Sequence, residues 1–190
     1  MGSTREEPAS RPVRGAPEGA AFGDPAGDAG PGRTVPAEAL VGDPAAAAPA
    51  AVRAALGALP LGHTESFRKT VGETDVYLFA GITGDFSPIH VDEEFAQTTR
   101  FGGRIAHGAL LVGFVSTVMG QMTARLPAPG GVSYQYVVTF RGPVRLGDTV
   151  TTTLTLAEAR PERRELVFRA RATNQRGETV LDGQTTLKLV

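Results

Sequence analysis

A carboxylate and an imidazole stand five positions apart in the segment Gly81–His90, where Asp85 and His90 flank a turn that contains Pro88. A carboxylate and a histidine held close together can grip one water molecule and move its protons. The residue types and their spacing therefore predict acid-base chemistry on water. Asp85 is also a common turn residue, and His90 taken alone could be an ordinary core histidine.

A second imidazole, His107, is followed at once by Gly108 and then by a long apolar run. A glycine amide at the start of a helix can bind a negatively charged oxygen, which makes Gly108 a candidate oxyanion donor. Two simpler interpretations stay open. His107 could only shape the loop before the helix, and Gly108 could be glycine because the backbone packs closely there.

Composition excludes several classes of function. The formal net charge is -1 and no basic stripe is present, so we expect no nucleic-acid partner. The sequence has no cysteine, which excludes disulfides and thiolate sites and favours a cytoplasmic location. The three histidines lack a zinc-site spacing, and we expect neither a metal nor a cofactor. No segment has the length of a membrane span, and the early acidic residues are unlike a secretory signal.

The N-terminal segment differs in composition from the rest of the chain. Its first 50 residues contain 13 Ala, 8 Gly and 8 Pro, with Phe22 as their one aromatic residue. Such a composition cannot bury enough apolar surface to offset the entropy of ordering it. We predict an N-terminal extension over residues 1–58, disordered to about residue 45 with a possible short helix from Pro49 to Leu59, and a folded domain over residues 59–190.

Helical patterns dominate the first half of that domain. Thr70 to Glu73 has the spacing of a capping box, and the helix that follows should end near Gly81 or Gly84. A short helix is expected from Asp92 to about Thr98. The longest helix is expected from Ile105 to Met122, and its nearly continuous apolar character predicts that it is buried.

Strand patterns dominate the second half. Four segments alternate apolar and polar residues with a period of two, which is typical of an antiparallel sheet with one wet face; they are 132–140, 150–156, 166–172 and 181–189. An earlier strand is expected from about Thr64 to Thr70. Because a buried helix needs an apolar surface around it, these elements predict an α+β domain whose curved sheet wraps a central helix.

The signature from Gly84 to His90, together with the segments 92–96 and 101–121, resembles the MaoC-like hot-dog-fold hydratases of the (R)-specific enoyl-CoA hydratase type. The resemblance covers about residues 61–190. It implies the hot-dog fold and the reversible addition of water to a trans-2-enoyl thioester, giving an (R)-3-hydroxyacyl thioester. It implies Asp85 and His90 as catalytic residues, the Gly108 amide as oxyanion donor, and an acyl-CoA substrate bound by a homodimer.

Three further residues are predicted to bind substrate: Ser87, His107 and Ser116. The family usually has Asn where this chain has Ser87, and a serine is shorter and lacks the second donor of an amide. Ser116 matches a pocket serine of the family, although it could simply bond its own helix backbone. Arg100 and Arg104 could meet the phosphates of a CoA carrier, or they could be solvated surface residues.

Three other functions stay open. The same chemistry could run as a dehydration, or on a carrier-protein thioester. A hot-dog thioesterase would need a carboxylate on or beside the long helix, and residues 105–122 contain none. A non-catalytic acyl-CoA-binding subunit is the third possibility, which the presence of both Asp85 and His90 disfavours.

Overall fold

The computed structural model of the protein describes residues 50–128 and 130–190. Five helices occur in the described residues: α1 (Ala50–Ala58), α2 (Glu73–Thr83), α3 (Pro88–Val91), α4 (Glu93–Gln97) and α5 (Gly108–Thr123). The five strands are β1 (Thr64–Thr70), β2 (Gly131–Phe140), β3 (Thr149–Arg160), β4 (Glu165–Thr173) and β5 (Thr179–Leu189). A short 3-10 turn, Pro161–Arg163, links β3 and β4.

The strands form one antiparallel sheet in the order β1-β3-β4-β5-β2. The sequence predicts all five, within a few residues at their ends. Consecutive strands β3, β4 and β5 are neighbours, whereas β2 crosses to the far edge beside β5. Its close approach there depends on Gly183, where a Cβ atom would lie 2.1 Å from the carbonyl oxygen of Val137.

The core forms between one face of the sheet and helix α5. Alternate residues of β3 and β4 face inward, among them Leu154, Leu156, Leu166 and Phe168, all fully buried. They pack with the buried side of α5, which consists of Leu111, Phe114, Val115, Val118, Met119 and Met122. This is the α+β arrangement that the sequence predicts.

The prediction that α5 is buried all round was wrong for the described chain. Residues Ala109, Gly113, Ser116 and Gly120 lie on an exposed side of the helix. A single five-stranded sheet covers only one side of a helix, so the opposite side stays accessible. The helix also begins at Gly108 rather than Ile105, because Ile105 forms a bridge with Arg145 and the Ala106 amide donates to Val144.

The beginning and end of α2 set the position of the residues that follow it. The predicted capping box at Thr70 was wrong, because Thr70 closes β1 and its hydroxyl bonds that of Thr149. Gly72 is the N-cap, and its amide donates to the Asp75 carboxylate at 2.9 Å. The helix ends as expected at Gly84, which adopts φ 80° and donates its amide to Ala80.

Two short helices follow α2 and lead towards α5. Pro88 stands at the first position of α3, where its missing N–H costs nothing. A short helix follows Asp92, as expected from the sequence, and the Asp92 carboxylate caps it by accepting from the Phe95 amide at 3.0 Å. The Ile105 amide donates to Ile89, which connects α3 to the segment before α5.

Helix α1 belongs to the folded core. Val52 and Ala55 on this helix and Leu59 just after it are buried among the core residues. The sequence assigns residues 50–58 to the N-terminal extension, and for these residues that assignment is corrected: an Ala-rich helix with an apolar stripe gains stability once it packs against the sheet domain. The remainder of the predicted extension, residues 1–49, lies outside the described residues.

Within the part of the chain that the structure describes, no helix has both the length and the apolar character needed to cross a membrane.

Candidate active site

The Asp85 carboxylate projects from the turn that ends α2. Its Oδ1 accepts from the Ser87 amide at 3.2 Å, and the Asp85 amide donates to the Thr83 hydroxyl at 3.3 Å. The side chain is 52% exposed. One carboxylate oxygen is thus held by the turn, while the other remains accessible. Asp85 is therefore both a turn residue and an accessible acid-base group.

His90 lies on α3 with one ring nitrogen held by the main chain. Its Nδ1 is 2.8 Å from the carbonyl oxygen of Ile105. Because a carbonyl oxygen can only accept, Nδ1 carries the proton. In the neutral ring Nε2 is then the nitrogen with a lone pair, which is the form a general base requires.

His107 is buried behind this pair, with 2% of its side chain exposed. Its Nε2 lies 2.9 Å from the main-chain oxygen of Asp85 and 3.9 Å from Oδ2 of the same residue. The ring also stacks on that of His90, with centroids 3.8 Å apart, and on Phe79 at 4.8 Å. One side chain therefore contacts both members of the pair.

Asp85, His90 and His107 bring carboxylate and ring-nitrogen atoms within 4.8 Å of one another. A metal would need several of these atoms free. Main-chain carbonyls already engage Nδ1 of His90 and Nε2 of His107. Oδ2 of Asp85 and Nε2 of His90 have no hydrogen-bond partner within the described residues and are suited to holding a water molecule. The expected absence of a metal stays a prediction.

Gly108 is the first residue of α5, so its amide has no carbonyl one turn earlier to bond. A Cβ atom at this position would lie 3.0 Å from the ring of Phe140, tighter than ordinary contact. A larger residue here would therefore require the Phe140 ring to shift. The same packing keeps a side chain away from the amide, so the two interpretations of Gly108 agree.

A cavity of about 480 Å³ opens beside His90 and Gly108. Its walls are mostly apolar and combine the segment before α5, the first turn of α5 and the end of β2; they include Phe101, Ile105, Leu111, Phe140 and Val144. Arg100 and Arg141 complete the lining. The volume lies in the usual range for small-molecule sites.

The predicted substrate-binding residues lie at different distances from this cavity. The Ser87 amide holds the Asp85 carboxylate, while its exposed hydroxyl makes no hydrogen bond within the described residues. His107 lies behind the reacting pair rather than on the cavity wall. Ser116 lines a different hollow, of about 570 Å³, between the second half of α5 and the start of β2.

Arg104 does not face the cavity. Its guanidinium bonds Glu73 and also Glu93, at 3.1 Å in the second case. Hydrogen bonds from Gln97 and then from Arg104 lower the pKa of Glu93, as expected for a carboxylate that is paired. Arg104 therefore belongs to a local ion-pair cluster. Of the two arginines singled out in the sequence, only Arg100 lines the cavity.

The sequence patterns do not indicate the roles of Phe140 and Arg141. Phe140 ends an alternating strand, a pattern typical of a core residue, yet it is half exposed and forms a cavity wall. Its role depends on β2 crossing to the edge of the sheet, which no local signal reports. Phe79 shows helical spacing in the sequence, but its stacking on His107 is likewise visible only in three dimensions.

Comparison with known proteins places these observations in a family. A family model described as a MaoC-like domain matches residues 60–176, which is more than half of the chain. An (R)-specific enoyl-CoA hydratase from Rhodospirillum rubrum is 45% identical over 126 residues, covering 66% of this chain and 85% of that protein. A 3-hydroxybutyryl-CoA dehydratase from Methylorubrum extorquens is 46% identical over 132 residues, covering 69% and 81%.

Solved structures agree with these sequence matches. An (R)-hydratase from Aeromonas caviae covers 70% of this chain and 98% of its own, with a TM-score of 0.63 and 32% identity. An R-hydratase from Pseudomonas aeruginosa in the unliganded form covers 69% and 82%, with a TM-score of 0.62 and 33% identity. These similarities confirm the predicted hot-dog fold, and the chain belongs to the MaoC-like family.

Proposed function

We propose that this protein is an (R)-specific enoyl-CoA hydratase, which adds water reversibly to a trans-2-enoyl thioester. The observation that carries the proposal is the placement of Asp85 and His90. A carboxylate oxygen of Asp85 and a ring nitrogen of His90 lie within 4.8 Å of each other, and His90 lines the same apolar cavity as Gly108. The activities named for the relatives support the same reaction class.

In the proposed mechanism one water molecule donates to the Asp85 carboxylate and to Nε2 of His90. Both groups are acceptors, so the oxygen lone pair is free to attack the β-carbon. One of the two groups takes a proton as the new carbon–oxygen bond forms. The π pair of the carbon–carbon double bond then forms the bond between the α-carbon and the carbonyl carbon, and the carbonyl π pair moves to the carbonyl oxygen. The resulting enolate collapses as its α-carbon takes a proton, on the same face, from the pair that removed one from the water. Acid-base assistance of this kind contributes about 10²–10⁴ in rate.

The enolate oxygen needs a donor, and we assign that role to the amide of Gly108. The amide stands at the positive end of a 16-residue helix, where it has no intrahelical partner. An amide aimed at a developing oxyanion is worth about 3–4 kcal/mol of barrier. The apolar walls strengthen this interaction, because they exclude water from the site.

The roles of the three predicted substrate-binding residues are refined by their contacts. Ser87 and His107 hold the Asp85 turn, and we propose that they act on substrate only through that turn. Ser116 follows Gly108 by eight residues, roughly 12 Å along the helix axis. We still propose that Ser116 binds substrate, at a site that forms where the exposed side of α5 meets a second copy of the chain.

A homodimer is supported by two exposed features of the described chain. Strand β2 stands at an edge of the sheet and carries the half-exposed apolar side chains Val132, Tyr134, Val137 and Phe140. The exposed side of α5 carries small residues that allow close approach. An open edge with apolar side chains favours pairing with another strand, and two-fold pairing closes the assembly.

Two alternatives stay within the same chemistry or the same fold. The enzyme could work as a 3-hydroxyacyl thioester dehydratase on CoA or carrier-protein substrates, since the catalytic groups are the same in both directions. A non-catalytic acyl-CoA-binding subunit would not need the convergence of Asp85 and His90. The cytoplasmic location stays a prediction from the absence of cysteine.

The decisive experiment mixes purified protein with crotonyl-CoA and follows the loss of the conjugated-enoyl absorbance, with chiral analysis of the product. We expect (R)-3-hydroxybutyryl-CoA. An (S) product or release of free CoA would overturn the proposal. Tight acyl-CoA binding without turnover would favour the non-catalytic subunit instead.

A further inference from the structure

The rim of the active-site cavity is positively charged. Arg100 and Arg141 both line it, and no carboxylate occurs among its described lining residues. The two arginines are exposed, whereas Ala106, Leu111 and Val144 deeper in the same lining are buried. The cavity thus runs from an apolar interior to a basic edge.

Within the part of the chain that the structure describes, neither guanidinium is strongly engaged. Arg100 stacks on Phe101, with its Cζ 4.8 Å from the ring centroid, and this contact leaves its N–H groups free to bond a ligand. Arg141 approaches Asp182 at 3.6 Å, but both side chains are about half exposed. Such surface pairs are weak and exchange readily with water or ligand. Arg104, held by two glutamates away from the cavity, is the contrasting case.

The backbone is held at Arg141 and at the residue after Arg100. The Arg141 amide donates to Val180 at 2.9 Å, which fixes the chain just after β2. Next to Arg100, the carbonyl of Phe101 accepts from the guanidinium of Arg145. A basic rim on a fixed backbone, leading into an apolar cavity, fits a ligand with a phosphorylated end and an uncharged arm.

We propose that Arg100 and Arg141 form a phosphate-binding rim, which binds the phosphate end of the pantetheine thioester whose acyl group reacts at Asp85 and His90. This inference rests on the proposed function for the identity of the reacting group. The two possible sources of this ligand, free CoA and a carrier protein, both present a phosphate on a pantetheine arm. Free CoA carries a diphosphate and a 3′-phosphate, whereas a carrier protein presents a single phosphodiester.

The test compares crotonyl-CoA, crotonyl-phosphopantetheine and crotonyl-pantetheine, which share the reacting group and the pantetheine arm and differ in the phosphates they carry. We expect Arg100→Gln/Arg141→Gln to lower kcat/KM for crotonyl-CoA by about ten- to thirtyfold, mainly through KM, because two charge-assisted contacts are lost at a partly screened site. With crotonyl-pantetheine the same variant should stay within about twofold of the wild type. Equal losses on all three thioesters, or no loss on crotonyl-CoA, would overturn the proposal.

The middle substrate identifies the phosphate that is bound. A loss already present with crotonyl-phosphopantetheine assigns the rim to the phosphate that CoA and carrier proteins share. A loss confined to crotonyl-CoA assigns it to the phosphates of free CoA. Either result supports a phosphate-binding rim.

Two control variants separate charge from structure. Arg169→Gln removes an exposed arginine of β4 that does not line the cavity, and it should leave all three rates unchanged. Asp182→Asn breaks the ion pair of Arg141 while keeping the arginine, and it should not weaken use of crotonyl-CoA. A loss in Asp182→Asn equal to that in the double variant would instead assign Arg141 a structural role and contradict the proposal.

Calorimetric binding of CoA itself tests the rim without turnover. Wild-type protein should bind CoA more tightly than pantetheine, and the double variant should lose that preference. If no thioester is hydrated but CoA binding still depends on the two arginines, the proposed reaction fails and the rim stands. If thioesters are hydrated but CoA binding is indifferent to the arginines, the rim fails and the proposed reaction stands.

Discussion

Nε2 of the buried His107 lies 2.9 Å from the main-chain carbonyl oxygen of Asp85. His107, which precedes α5, therefore holds the turn after α2. This hydrogen bond links the two segments that form the candidate site. Stacking of the same ring on His90 at 3.8 Å extends this link to the second catalytic candidate. We therefore propose that His107 is a positioning residue for both.

Replacing His107 by Phe keeps a ring in the stack but removes the donor to Asp85. We expect kcat to fall by about ten- to a hundredfold, because the turn that carries Asp85 loses a part-buried hydrogen bond, at about 1–3 kcal/mol. KM should change little, because His107 does not line the cavity. Steady-state kinetics checks this expectation, and His107→Gln, which retains an N–H donor, should recover part of the rate. Identical rates in the two variants would argue against the positioning role.

Replacing Asp85 by Asn removes one acceptor from the proposed water site. We expect a fall in kcat of about 10²–10⁴, the range that acid-base catalysis supplies. Folding should be preserved because the side chain is half exposed, and thermal unfolding followed by circular dichroism checks this control. Near-normal turnover of crotonyl-CoA by Asp85→Asn would refute the assignment of this residue.

Gly108→Ala tests the packing of the oxyanion donor. The added methyl group would meet the Phe140 ring at 3.0 Å and push that ring towards the cavity. We expect kcat/KM to fall by about tenfold, the effect of a displacement that costs about 1–2 kcal/mol. Stability should change little, because alanine favours a helix. The double variant Gly108→Ala with Phe140→Leu should regain activity; no recovery would mean that the methyl group acts on the amide rather than through Phe140.

The buried carboxylate of Glu165 gives a prediction on stability and pH. Burial raises its pKa, but hydrogen bonding from Tyr134 and the charges of Arg163 and Lys188 outweigh that effect and hold the pKa below its usual value. Because the pKa of this carboxyl group is lower in the folded state, its charged form stabilises the fold at pH values above the unfolded-state pKa of about 4.3. This contribution is lost as the pH falls through the folded-state pKa. Acid unfolding should therefore depend on this residue.

We expect Glu165→Gln to lower the free energy of unfolding by about 1–3 kcal/mol at pH 7, because it weakens the charge-assisted bonds of a side chain that is only 2% exposed. The difference from wild type should shrink towards pH 3. Urea unfolding at several pH values measures both effects. The exposed neighbour Glu162, changed to Gln, is the matched control, and a pH-independent difference for Glu165→Gln would contradict the linkage.

Helix α1 should contribute to the stability of the folded unit. Val52 is fully buried, so Val52→Ala is expected to lower the free energy of unfolding by about 1–3 kcal/mol. The exposed Ala54→Ser on the same helix controls for helix propensity. Chemical denaturation distinguishes the two variants, and equal stabilities would show that α1 is dispensable for the core.

Much of the fold could be read from periodicity, since alternation in four segments indicated the strands and Gly84 marked the end of α2. Periodicity reports only which residues share a face. It could not say that β2 crosses to the edge beside β5, nor that the described residues cover α5 on one side alone. Those facts depend on pairing between distant segments, as in the contact of Gly183 with the Val137 carbonyl.

The chemical groups of the candidate site could be identified before any fold was known, because Asp85, His90 and the glycine that opens α5 stand out by type and spacing. Their arrangement is a property of the folded chain. Folding placed His107 against the pair, turned Arg104 away into an ion-pair cluster, and brought Arg141, just after β2, to the cavity that Arg100 also lines. A short motif indicates the chemistry of a residue and its local conformation. The residues that surround it in the folded chain depend on long-range packing.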